Sequence, residues 1–219
     1  MRFLRCVHAE WLFVAPRLTR TRLGLSLLVL GAALVWLNGR GLDPITVAMQ
    51  AGALCSIVGA AGIAGSESER AALGIALTHP TTGLAIATGR WVAIVMPATV
   101  VTIACTAAVG WQNAAAIAGL AAAAAVGSCA LALVLPLGKA AAVALFLFMA
   151  VAGAFAPERL VDLAHPGLVR LAAASALELG PALWHYRDIA TGDPGAIVHA
   201  VAWTGLGMLL ACGFVARRR

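Results

Sequence analysis

The residues able to do chemistry in this chain are few and scattered. His8, His79, His165, His185 and His199 form no cluster with metal-ligand spacing. Cys6, Cys55, Cys105, Cys129 and Cys212 include no CxxC pair, and four of them lie inside apolar runs. They read as buried free thiols acting as small hydrophobes. Gly127-Ser128 offers a hydroxyl, but neither GxSxG nor HExxH is present. A serine in an alanine-rich helix is ordinarily a packing residue. No GxxxxGKS or GxxxxGKT loop is present to cradle a nucleotide phosphate. The expectation is therefore no catalytic residue, no metal site and no cofactor held by this chain.

Two stretches carry patterned charge or aromatic residues instead. The first opens Ser66-Glu67-Ser68-Glu69-Arg70 and ends Thr78-His79-Pro80. Ser66 suits an N-cap and Glu69 completes a capping box, with Glu67 and Glu69 both in the first turn, where the helix dipole favours acids. Leu73 and Leu77 share one apolar edge, and Pro80, after His79, stops the helix. This pattern predicts a short surface helix over 66–80. Connections in helical bundles usually run about 2–8 residues, so a long, capped and charged one points to docking. The second stretch, 156–196, is semi-polar. Leu168, Leu171, Ala172, Ser175, Ala176 and Leu179 fall at helical spacing, Gly180-Pro181 breaks the chain, and Trp184, His185 and Tyr186 follow. A turn, Gly192-Asp193-Pro194-Gly195, ends it. Neither half is long or apolar enough to span, so two short helices dipping into the outer leaflet or covering the bundle are expected. Trp184 and Tyr186 suit headgroup depth, and His185 a polar contact beside them.

The elements that must position these stretches follow from composition. Of 219 residues, 62% are hydrophobic and 11% charged, with a mean hydropathy of +0.96. That is too little charge to cover a soluble surface and too apolar for disorder. The prediction is a single all-α membrane domain over 1–219. Its spans are expected at about 22–38, 44–65, 88–110, 113–135, 138–155 and 197–215, each near the ~20 residues that cross a bilayer. No stretch alternates as membrane β-strands do. Residues 1–21, with Glu10 and Trp11 among scattered arginines, read as a basic interfacial helix. Threading six spans from a cytoplasmic N-terminus puts Arg2, Arg5, Arg17, Arg20, Arg22, Arg70, Arg90, Lys139 and Arg217–Arg219 inside. Only Arg40, Arg159, Arg170 and Arg187 fall outside, which the positive-inside rule favours. Both termini are then cytoplasmic, and the net charge of +6 concerns the lipid bilayer rather than nucleic acid. No ionisable residue falls near the centre of a predicted span, Arg90 and Lys139 being placed at span ends. That argues against a proton-driven carrier and suits an apolar or amphipathic cargo moved by an outside energy source.

The stretch from Glu67 to Trp91 resembles the signature region of type-2 ABC-transporter permeases. Glu69-Arg70 matches their acidic-basic turn, Pro80 the end of their short helix, and Arg90 the basic residue opening the third span. The resemblance extends over nearly the whole chain: an interfacial helix, six spans, a coupling helix between spans two and three, and re-entrant helices before span six. It implies the membrane-spanning subunit of an ABC exporter in a bacterial plasma (inner) membrane. Two permease chains, as a homodimer or heterodimer, would form the pathway. A separate ABC ATPase subunit would bind ATP and Mg. In that reading Glu67, Glu69 and Arg70 contact the ATPase, Leu73 and Leu77 fill its groove, and His79 and Pro80 fix the helix end. Glu10 and Trp11 also touch it, and Pro181, Trp184, His185 and Tyr186 belong to the outer re-entrant segment. Two alternatives are a non-enzymatic membrane scaffold or assembly protein and the haem-exporter-type membrane subunit of cytochrome c maturation.

Overall fold

With no water to bond the backbone in a bilayer core, an apolar chain satisfies its amides by forming helices. A computed structural model of this chain describes residues 3–9, 11–12, 23–64, 74, 82–152 and 180–218. All regular structure among them is helical. The elements are α1 (Leu23–Asn38), α2 (Pro44–Ala64), α3 (Gly83–Ala108), α4 (Asn113–Leu137), α5 (Lys139–Ala152), the 3-10 helix η1 (Leu183–Thr191) and α6 (Pro194–Arg217). Residues 3–9 and 11–12 are also helical.

Local chemistry sets the boundaries. Gly41 turns the chain between α1 and α2 at φ 100, and Gly138 separates α4 from α5 at φ 76. A side chain would be strained at either angle. Asp43 caps α2, accepting from the Thr46 amide at 3.0 Å, and Pro44 follows where a missing N–H costs nothing. Thr82 caps α3 by accepting from the Ala85 amide at 3.2 Å. Asp193 caps α6 through the Gly195 and Ala196 amides, again with proline next.

Among the described residues four helices are long and apolar enough to cross a membrane: α2, α3, α4 and α6. The all-helical architecture matches the expectation, while the six expected spans stand at four helices of sufficient length. α1 and α5 are apolar but have 16 and 14 residues, rising about 24 and 21 Å against a hydrocarbon core of about 30 Å. Residues 13–22, just before α1, and 153–179, after α5, lie outside the described set. α3 begins at Gly83 rather than near 88, because Thr82 caps it there. Arg90 is therefore the eighth residue of a long helix, fully buried, and not a span-end anchor.

α2 and α4 form the centre. Gly52 lies on Gly119 and Ser56 on Ala123, the same sequence offset, so the two helices run parallel. Ala115, Ala118, Ala122 and Ala125 are fully buried along α4. Such small residues let backbones approach where burial of large apolar groups gains nothing over lipid. A Cβ on Gly52 would meet the Gly119 carbonyl oxygen at 2.1 Å, and one on Gly119 would meet Thr102 Cγ2 at 2.4 Å. α6 passes α4 as closely, since a Cβ on Gly207 would meet the Ser128 carbonyl carbon at 2.6 Å. α3 packs on α2 and α4, α1 on α2 and α3, and α5 on α2 and α4.

The surface inverts the rule for water. Leu28, Val29, Val201 and Leu209 are well exposed, Leu209 to 72%. Thr46, Gln50, Ser56, Arg90, Thr102, Thr106 and Ser128 are buried. Apolar exterior with hydroxyls inside is the arrangement of a bundle solvated by lipid.

Gly52→Ala forces the central helices apart and is expected to destabilise the bundle by about 1–3 kcal/mol, the range for overpacking. Gly213→Ala, where a Cβ would touch nothing within 4 Å, leaves stability unchanged. Thermal unfolding in mild detergent compares the two.

Candidate functional site

The described candidate residues gather on the segment before α6. Gly180 to Ala182 has no regular structure, yet Pro181 and Ala182 are buried. Gly180 and Pro181 line the same cavity as Cys129, Ala132 and Pro136 in the second half of α4. Six residues after Pro181, Arg187 reaches the first turn of α2. The segment thus starts inside the bundle and climbs along α4 and α6 to one end. Non-helical backbone at such depth is tolerated only against protein or water.

Arg187 fixes the upper end of this climb. Its Nη2 donates to Asp43 Oδ2 and, at 2.6 Å, to Thr46 Oγ1. The Thr46 hydroxyl in turn donates to Asp43 Oδ2 at 2.6 Å. Asp43 therefore caps α2 and also holds η1. The pair is half-exposed, at 46% and 45%. Burial works against the Asp43 carboxylate. The Thr46 hydroxyl and amide, the Arg187 charge and the Ile45 amide together outweigh it and hold the pKa below the ordinary 3.8. This clasp carries no signal in the sequence. Nothing local announces an arginine 144 residues away.

Below Arg187 the aromatic residues interlock. Trp184 stacks on His185 with ring centroids 3.5 Å apart, and His185 lies 4.5 Å from His199 of α6. Tyr186, fully buried, lies 5.6 Å from His199. Trp203 Nε1 donates to His199 Nε2 at 3.1 Å, so that nitrogen carries no proton. The two imidazoles lie with planes 40° apart, as ring contacts rather than as a chelating pair. Among the described residues no three of His, Cys, Asp or Glu converge on a point. The Tyr186 hydroxyl and Trp184 Nε1 are buried with no hydrogen-bond partner among the described residues. Ser128 spends its hydroxyl on the carbonyls of Ala125 at 2.8 Å and Trp203 at 3.3 Å.

A cavity of about 530 Å³ opens between α1, α2 and α5. Leu34, Leu54 and Phe146 line it. Gln50, 3% exposed, contributes a side chain whose Nε2 donates to the Met149 carbonyl at 3.4 Å. Its Oε1 has no partner among the described residues. Arg40, also in the lining, has its guanidinium 4.5 Å above the Trp36 ring. The cavity thus offers apolar walls, one buried acceptor and one cation. Gln50 was missed as well, since a lone amide in an apolar run carries no spacing signal.

The other expected residues are placed as follows. Trp11 is half-buried, packs on the main core and stacks with His8 at 5.8 Å. Glu10, Glu67, Glu69, Arg70, Leu73, Leu77, His79 and Pro80 lie outside the described residues.

Compared with known protein families, curated proteins and solved structures, the chain matches none.

A carboxyl whose pKa falls on folding stabilises the fold above its ordinary value and loses that contribution as pH drops through the folded value. Unfolding measured from pH 7 downward should show this loss below pH 3.8 in the wild type and not in Asp43→Asn. At pH 7 the substitution costs at most about 1 kcal/mol, because the pair is half in solvent. Tyr186→Phe should leave the unfolding temperature unchanged or raised, since it removes a hydroxyl without a bond partner among the described residues. Tyr186→Ala should lower stability by about 3–5 kcal/mol, as truncation of a buried ring does.

Proposed function

We propose that this chain is the membrane-spanning permease subunit of an ATP-binding-cassette exporter. The observation that supports this most is the segment before α6. It starts inside the bundle at Gly180 and Pro181, climbs through η1 and is held to the start of α2 by Arg187. A permease of the resembled type needs a non-crossing segment at this place. It would close the pathway on the outer side while the spans move beneath it. The sequence over 66–80, where a short capped helix is expected from its residues alone, would supply the other requirement, a helix for an ATPase to push.

In this reading the chain is half a pathway, completed by a second permease chain. A separate ABC ATPase holds ATP and Mg. Closure of the ATPase pair favours one bundle arrangement through differential contact energy, delivered at Glu67, Glu69, Arg70, Leu73 and Leu77. His79 and Pro80 end that lever. Glu10 and Trp11 on the interfacial helix steady it. The cavity with Gln50 and Arg40 suits an amphipathic cargo with a donor group and a negative charge. Both termini face the cytoplasm of a bacterial inner membrane, as the distribution of arginines favours.

The test is purification from native membranes in mild detergent, followed by reconstitution. An ABC ATPase is expected to copurify. Glu69→Ala with Arg70→Ala should weaken transport-linked ATP hydrolysis about tenfold, the effect of losing about 1.4 kcal/mol of contact. Full coupling in that variant removes the helix at 66–80 from the interface. Reproducible absence of any ATPase overturns the permease reading in favour of a membrane scaffold.

A further inference from the structure

A second cavity, of about 510 Å³, runs between α4, α5 and α6. Cys129 and Pro136 line it from α4, Phe148 from α5, and Trp203, Gly213 and Arg217 from α6. Arg217 is the only charged residue in its described lining. From Trp203 to Arg217 the groove follows α6 for fourteen residues, about 21 Å of rise. One leaflet of hydrocarbon is about 15 Å deep, half of the ~30 Å core. The groove is therefore long enough to take a lipid chain whole. Gly213 leaves it open, since a Cβ there would meet nothing within 4 Å. A second cation stands at the same end, where the Arg218 guanidinium lies 5.0 Å from the Phe214 ring. Leu206, Leu209 and Leu210 of the same helix are exposed, so the groove opens towards the lipid side.

We propose that this groove binds one acyl chain of an anionic phospholipid, with the phosphate against Arg217. The apolar walls exclude a polar occupant. The cation at one end distinguishes an anionic headgroup from a zwitterionic one. Chain length and headgroup position then agree: a phosphate at Arg217 sends the chain towards Trp203, about 21 Å away. The site requires only that the chain lies in a bilayer and is independent of any ATPase partner.

Fluorescence quenching of Trp203 reads the groove at the end remote from Arg217. The full chain carries Trp203 as its sole tryptophan, the other five being replaced by phenylalanine. It is reconstituted in phosphatidylcholine vesicles doped with either phosphatidylglycerol or phosphatidylcholine brominated on the acyl chain. Half-maximal quenching is expected at a mole fraction about fivefold lower for the anionic lipid, the factor one basic residue contributes near a charged headgroup. Arg217→Gln should abolish that preference and Arg217→Lys should restore it. Gly213→Leu, which fills open space, should reduce quenching by both lipids. Equal quenching by the two lipids in the unsubstituted groove overturns the proposal, as does quenching unaffected by Gly213→Leu. If neither lipid reaches Trp203 while Leu209→Cys chains crosslink to each other, the groove holds a second copy of the chain and the proposal also fails.

Discussion

The close passage of α2 over α4 at Gly52 and Gly119 is the constraint on which the bundle depends. There is no room for a single Cβ between them. Lipid is as apolar as leucine, so large side chains gain little by leaving it. Attraction must come from backbones that come near enough for dispersion and weak polar contacts to accumulate. The passage also allows the Ser56 hydroxyl to reach both its own helix at Gly52 and the Ala123 carbonyl. Trp91 reaches the Ala124 carbonyl one residue further along α4. Once α4 is fixed, Gly207 brings α6 onto its other side at Ser128. Separating α2 from α4 would release these contacts together.

The inverted polarity follows from the same solvent. Thr102 and Thr106 return their hydroxyls to carbonyls four residues back, at 2.8 and 2.9 Å. Ser56 and Ser128 divide theirs between their own helix and a neighbour. Polar side chains thus cost little inside the bundle and would cost several kcal/mol facing hydrocarbon. Arg90 belongs to this interior set, and its burial inside α3 places a charge where sequence reading expected none.

At one end of the bundle, several functions fall on few residues. Asp43 ends a turn, caps α2 and holds Arg187. Through that clasp the start of α2 is tied to η1, and through His185, Tyr186 and His199 η1 is tied to α6. A displacement of α6 against α2 must therefore strain either a half-exposed ion pair or a stack of rings. The ion pair is the weaker of the two, being open to water and salt.

The sequence by itself pointed to a helical chain apolar enough to lie in a membrane, because there is too little charge to cover a soluble surface and no stretch alternates as membrane strands do. It also located most helix ends. The apolar runs set those ends, and Gly192-Asp193-Pro194-Gly195 was legible as a turn, whereas the roles of Gly41, Asp43 and Gly138 came from the structure. It marked Pro181, Trp184, His185 and Tyr186 as a non-spanning aromatic segment. Which of these groups meet was decided only by tertiary structure. Alanine and glycine fill every face of α4, so no apolar stripe says that Gly119 faces Gly52 or that Ser128 faces Gly207. Arg187 finds Asp43, and His185 finds His199, across helices whose mutual rotation no local pattern encodes. The start of α3 at Gly83 was misplaced because an apolar-span criterion does not weigh a threonine cap. The two cavities are likewise gaps between helices, set by how near small residues let the backbones come, and that distance exists only once the bundle has formed.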